Sequence, residues 1–174
     1  MSGRIEIRVL TAAEAETCIE TLAEILSDCV QGGAGVGFML PFSREDALAW
    51  WPGPIASARR GERVILGGFA DGVLCGTVQL VTATPPNQPH RADIAKMLVG
   101  PAARGRGLGA ALMLGAEAEA RARGKTLLVL DTVTGSDAER LYQALGWQRT
   151  GVIPDFALSP HGNANSTTIL WKKI

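Results

Sequence analysis

The sequence predicts a mixed α/β fold of the α+β kind, about seven strands flanked by about four helices. Behind a first alternating stretch, apolar residues recur at helical spacing up to residue 62, and at strand spacing immediately after it. An Asp-Gly pair at 71–72 separates two apolar runs, the signature of a tight hairpin. Beyond residue 90, strand-like and helix-like runs alternate.

The elements follow in order. RIEIRVL (4–10) alternates apolar and polar residues and reads as a first strand. Thr11 stands three residues before Glu14, a capping-box pattern. Behind it Ile19, Leu22, Leu26, Cys29 and Val30 share one helical face, predicting a helix to about residue 31. GGAGVG (32–37) is loop. Ser43 caps a second helix through ALAWW, which the prolines of PGP (52–54) break, and a short third helical piece follows Pro54.

RVILGGFA and VLCGTVQLVTA form the hairpin, and TPPNQPH (84–90) is a proline-rich loop. RADIAKMLV (91–99) is a strand, then a glycine loop leads into a helix over about residues 108–124. KTLLVLD (125–131) is a strand, SDAERLYQAL a helix and WQRTGV a strand. A loop through Pro154 and Pro160 leads to a last strand, STTILWKKI. The whole chain, 1–174, is expected to be one domain.

Seventeen basic residues balance seventeen acidic ones, so no basic excess marks a nucleic-acid surface. Cys18, Cys29 and Cys75 match no metal spacing. Cys18 and Cys29, eleven residues apart on one helix, would lie roughly 16 Å apart along its axis, too far for a disulfide. They are expected as buried thiols of a reducing compartment. No secretory h-region or membrane-length apolar run is visible, so a cytoplasmic location with neither membrane nor nucleic-acid partner is expected.

The chemistry concentrates in ARGRGLGAAL (103–112). Glycines at alternate positions leave backbone N–H groups bare, and a helix starting behind them carries partial positive charge at its N-terminus. Together these make a phosphate cradle. Gly105, Gly107 and Ala110 also fit the dinucleotide pattern G-x-G-x-x-G/A, with Asp131 about 20 residues on as the ribose-binding acid. That fold needs two βαβαβ halves, and too little chain follows the loop for them. A kinase-type P-loop is the weaker fit, because no Gly-Lys-Ser/Thr follows.

LVGPAARGRGLGAAL resembles motif A of the GNAT superfamily of N-acetyltransferases, Q/R-x-x-G-x-G/A, filled here by Arg104, Gly107 and Gly109. Ala138, Leu141, Tyr142, Leu145, Gly146 and Trp147 are similar to a second signature, A-x-x-L-Y-x-x-x-G-F. The resemblance covers roughly residues 4–173. It implies a GNAT fold, a mixed and mostly antiparallel sheet with a splayed parallel pair, 91–99 beside 125–131. GGAGVGFM (32–39), RADIAKMLV, ARGRGLG and LDTVTGS (130–136) further resemble the tabtoxin-resistance branch, which acetylates an amino acid toxin.

The resemblance also implies roles. Backbone groups of Met97, Leu98 and Val99 would pair with the pantetheine arm of acetyl-CoA, and an N–H near Leu98 or Val99 would hold the thioester oxygen. Residues 104–109 (Arg104, Gly105, Arg106, Gly107, Leu108, Gly109), with Ala110, would wrap the pyrophosphate. Tyr142 occupies the general-acid position; an ordinary phenol pKa of about 10 keeps it protonated at neutral pH. Asp93 and Asp131 are the candidate bases or ammonium anchors, with a water chain as the alternative. Where many relatives place an asparagine on the pantetheine, this chain has Gly135, and Ser136 is the nearest substitute.

His90 and His161 read as surface residues, and no metal is expected. Trp50 and Trp51 are core or acceptor-pocket residues, and GGAGVG is either a connection or a side-chain-poor lid. The expected activity is acetyl transfer from acetyl-CoA, in a ternary complex, to a small amino acid-like or antibiotic-like amine. The rivals are acetylation of a peptide or protein N-terminus, and a non-catalytic acyl-CoA sensor. A homodimer is compatible with the sequence.

Overall fold

In the computed structural model, which describes residues 4–174, the chain begins as an edge strand, β1 (Ile5–Leu10). Thr11 ends it and starts α1 (Ala12–Thr17) through a reciprocal cap: its hydroxyl accepts the Glu14 N–H at 3.2 Å, and the Glu14 carboxylate accepts the Thr11 N–H at 2.8 Å. The expected single helix to residue 31 is in fact two. Cys18 leaves helical geometry at φ −104° and ψ 18°, which lets α1 lie against α4 while α2 (Ile19–Gln31) runs over β3 and β4. Cys18 is therefore at a helix junction rather than on a shared helix with Cys29. It is partly exposed, as is Cys75, and all three thiols are free.

Ser43 and Asp46 form a second capping box at α3 (Arg44–Trp50). Pro52 opens α4 (Pro52–Arg59), where its missing N–H has no helical partner to lose. The hairpin is as expected, β2 (Arg63–Ala70) and β3 (Val73–Val81) around Asp71-Gly72, followed by β4 (Arg91–Val99). A single 3₁₀ turn (Pro101–Ala103) precedes α5 (Leu108–Ala122); then come β5 (Leu127–Val133), α6 (Asp137–Ala144), β6 (Gln148–Leu158) and β7 (Ala164–Lys173).

The described strands form one seven-stranded sheet in the order β1-β2-β3-β4-β5-β7-β6. Only β4 and β5 pair in parallel, because α5 carries the chain across the sheet between them. β6 runs through Pro154, where a loop is expected from the sequence. It tolerates the proline because it is an edge strand whose register shifts between Ile153 and Ala157.

The sheet is covered on both faces. On one, Leu108, Leu112, Met113 and Ala116 of α5 pack on Val78 and Leu80. Gly68 and Gly76 make room for them: a Cβ on either would come within 3.0 Å of Leu108. On the other face, Leu22 and Leu26 of α2 and Trp51 pack on Ile65 and Leu98. Burying such aliphatic side chains contributes roughly 1.5–3 kcal/mol each.

Candidate active site

The parallel pairing of β4 and β5 is short. Arg91, Ala92 and Asp93 pair with Leu127, Leu128 and Val129, and from Ile94 and Leu130 onward the two strands part. A cavity of about 660 Å³ opens in the gap. Its walls are β4 from Ile94 to Val99 and β5 from Leu130 to Val133, with Tyr142 of α6 and the glycine loop 32–37 completing the enclosure. Beyond Asp93 the β5-facing edge of β4 has no strand partner among the described residues.

A bulge shapes the β4 wall. Gln79 pairs with Ala95 but Thr77 with Leu98, so Lys96 and Met97 together oppose Val78 alone. Lys96 takes up the extra residue at φ 51°. The insertion swaps the faces: Ala92 and Ile94 point to the α5 side before it, Met97 and Val99 after it, and Leu98 turns to the α2 side. Apolar residues fall at 92, 94, 95, 97, 98 and 99, with no clean alternation on either side of Lys96, so the sequence alone does not mark the insertion. Sequence reasoning missed both the bulge and the lysine it presents to the cavity.

Met97, Leu98, Val99, Arg104, Asp131, Ser136 and Tyr142 all line the cavity. Tyr142 is 5% exposed. Its ring leans on Trp147, with centroids 6.2 Å apart, and the Trp147 indole donates to the buried Glu117 carboxylate at 3.1 Å. Lys172 donates to both oxygens of Glu117 at 2.8 Å, so α5, α6 and β7 jointly fix the tyrosine. Burial, and secondarily the Asp131 carboxylate, push the Tyr142 phenol up to about 12. The phenol therefore keeps its proton at neutral pH.

Asp93 is placed elsewhere. It lies at the closed end of the gap, outside the cavity lining, and its carboxylate is paired with Arg91. Asp131 is exposed on the wall that diverges from β4. The two aspartates thus do not face each other across the gap.

The glycine turn stands beside the cavity rather than in its lining. Gly105 and Gly107 have φ of 74° and 84°, with nothing within 4 Å of where a Cβ would sit, so their backbones lie bare. Gly107 caps α5, whose first-turn N–H groups have no partner within the helix. Leu108 is buried in the core. Gly109 serves packing: a Cβ there would stand 3.2 Å from Leu141 Cδ2, so its smallness lets α6 approach α5. Ala110 follows in the same half-buried turn. Arg104 folds back, donating to the Val99 carbonyl at 3.1 Å and approaching Cys29 Sγ at 3.7 Å. Arg106 pairs with Asp71 at 3.0 Å. The Ser136 hydroxyl caps α6, accepting the Glu139 N–H at 3.2 Å.

Two further segments enter the site. The loop 32–37 lies over the far end of β5, where a Cβ on Gly35 would stand 2.6 Å from Val133. Phe156, Ala157 and Leu158 of the irregular part of β6 close another side. Trp51 belongs to the core, whereas Trp50 is half-buried beside Phe38, 5.5 Å centroid to centroid. Among the described residues no cluster of three or more His, Cys, Asp or Glu could hold a metal ion, and no helix is long and apolar enough to cross a membrane.

Comparison with known proteins gives the same architecture. A solved structure of yncA from Salmonella typhimurium with its cofactor acetyl-CoA superposes with a TM-score of 0.77 at 23% identity, covering 97% of this chain and 93% of that one. The ribosomal-protein-alanine N-acetyltransferase of Brucella melitensis does so at 0.79 and 21% identity, covering 97% and 99%. An uncharacterized N-acetyltransferase from the hisH-hisA intergenic region of Azospirillum brasilense is 36% identical over 115 residues, 65% of this chain and 67% of that protein. The model of the acetyltransferase (GNAT) family matches residues 19–147, a span that holds both walls of the gap, the glycine turn and Tyr142. The chain is an N-acetyltransferase and belongs to the GNAT family.

Proposed function

We propose that the protein transfers acetyl from acetyl-CoA directly to the amine of a small amino acid-like acceptor, both bound at once in the gap between β4 and β5. One observation carries this reading: an unpaired strand edge and a protonated tyrosine meet at a single cavity, and the glycine turn at the N-terminus of α5 stands beside it. The residues present fit the donor. Met97, Leu98 and Val99 offer backbone groups to an extended pantetheine arm, as an added strand would use them. Bare N–H groups at Gly105 and Gly107 and the start of α5 suit a pyrophosphate. Acetyl-CoA supplies an activated thioester.

The rest of the chemistry falls to this chain. The acceptor nitrogen must reach the acetyl carbon without its extra proton; Asp131, facing the cavity, takes that proton directly or through water. As the carbon–nitrogen bond forms and the carbon–sulfur bond breaks, Tyr142 gives its proton to the departing sulfur. A backbone N–H of the β4 edge near Leu98 holds the developing oxyanion. The loop 32–37 excludes water from one side, and its lack of side chains leaves room for a compact acceptor.

The local likeness of residues 32–39, 91–99 and 130–136 to the tabtoxin-resistance branch supports an amino acid-like acceptor over a protein N-terminus. CoA release, measured with free amino acids and with peptides of free N-terminus, tests this. We expect release with the former. Release with peptides alone would overturn the small-acceptor reading.

A further inference from the structure

Lys96 lines the cavity and no step above uses it. The β4 bulge puts it there, with its backbone at φ 51°, in the left-handed region where a lysine is strained. Its ammonium lies 5.7 Å from the ring centroids of both Phe38 and Trp50, which meet edge to face. Among the described residues it has neither a carboxylate within ion-pair distance nor a hydrogen-bond acceptor. Gly37 closes in from the loop, its Cβ position 3.8 Å from Nζ.

The surroundings are positive. Arg63, on the neighbouring part of the sheet, bonds the Gln79 amide oxygen and is likewise in no ion pair among the described residues. Burial, and then Arg63, pull the Lys96 ammonium below the ordinary lysine range, while Asp131 on the opposite wall works against them. A desolvated cation with three unused donors, lining a cavity, is stabilised by an anion that enters.

We propose that Lys96 is the carboxylate-binding residue of the acceptor site, so that the preferred acceptors carry a carboxylate beside the amine. The bulge places Lys96 in the β4 wall of the cavity, and its ammonium lies beside Gly37, which lines the same cavity. Asp131 stands on the β5 wall, where it receives the amine end. An acceptor with both groups is then oriented by its two charges. This rests on the acceptor reading above.

The experiment compares each free L-amino acid with its primary amide, in the parent, in Lys96→Met and in Lys96→Arg. The ratio of kcat/KM for acid over amide, taken between variants, cancels the differing basicity of the two amines. We expect the acid preference to fall at least about tenfold in Lys96→Met, the scale of a lost charge-assisted hydrogen bond, and to persist in Lys96→Arg. Butyrate, a carboxylate without an amine, should compete with the acceptor on the parent and bind the CoA-loaded parent in calorimetry. Equal use of acids and amides, with no butyrate inhibition, overturns the inference even where a variant fails to fold. Absence of transfer to every amine, with Lys96-dependent butyrate binding intact, overturns the acceptor reading while supporting the carboxylate site.

Discussion

Tyr142 and Asp131 enter one cavity from different elements, α6 and β5, and the carboxylate adds to burial in keeping the phenol protonated. In the proposed reaction the buried phenol is the proton donor and the exposed carboxylate the acceptor.

This arrangement is visible by titration, because Tyr142 is the only tyrosine of the chain. Tyrosinate absorbance should appear with a midpoint near 12 in the folded protein and near 10 in denaturant. A raised folded pKa contributes stability that is full below about pH 10 and is lost as pH climbs toward 12. Asp131→Asn should lower the folded midpoint slightly and leave it above 10, since burial is the larger cause. A folded midpoint at 10 would show the phenol to be exposed.

The two aspartates should behave differently. Asp131→Asn should lose kcat/KM most at neutral pH and recover as rising pH deprotonates the amine, if Asp131 accepts the proton. If it anchors the ammonium, KM rises while kcat at saturation holds. Asp93→Asn, outside the cavity and paired with Arg91 at a partly exposed site, should change kcat/KM less than about twofold and stability by under about 1 kcal/mol. A large kinetic loss in Asp93→Asn would show that the gap closes further during the reaction.

The glycines of the turn are expected to divide by role. Gly107→Val should suppress the thermal stabilisation given by acetyl-CoA, since the bare backbone at φ 84° would carry a branched side chain. Gly109→Val should lower the melting temperature of the ligand-free protein, because its side chain meets Leu141 at 3.2 Å before it adds further atoms. Calorimetric melting with and without acetyl-CoA distinguishes the two. An unchanged acetyl-CoA shift in Gly107→Val would remove the turn from the cofactor site.

Much of this was legible in the chain because local signals and fold agree. Thr11-Glu14, Ser43-Asp46 and Asp71-Gly72 each mark a boundary that the backbone observes. The glycine turn and Tyr142 could be placed beside one another from their motifs. What escaped depends on tertiary contacts. The break at Cys18 follows from α1 and α2 packing on different neighbours, and the strand through Pro154 from its edge position. Asp93 and Asp131 look equivalent in sequence, and only the register of β4 against β5 puts one at the closed end of the gap. The bulge that sets Lys96 in the cavity wall shows only in the β3–β4 register.

The most direct test of acid catalysis by Tyr142 is the single-turnover rate of acetyl transfer in Tyr142→Phe, at saturating acetyl-CoA and acceptor. Only a hydroxyl is removed, so the ring keeps its contact with Trp147 and acetyl-CoA affinity should change little. We expect the rate to fall by about 10²–10⁴-fold, the range for losing a general acid. A rate within about twofold of the parent, with chemistry as the slow step, would contradict proton donation by Tyr142.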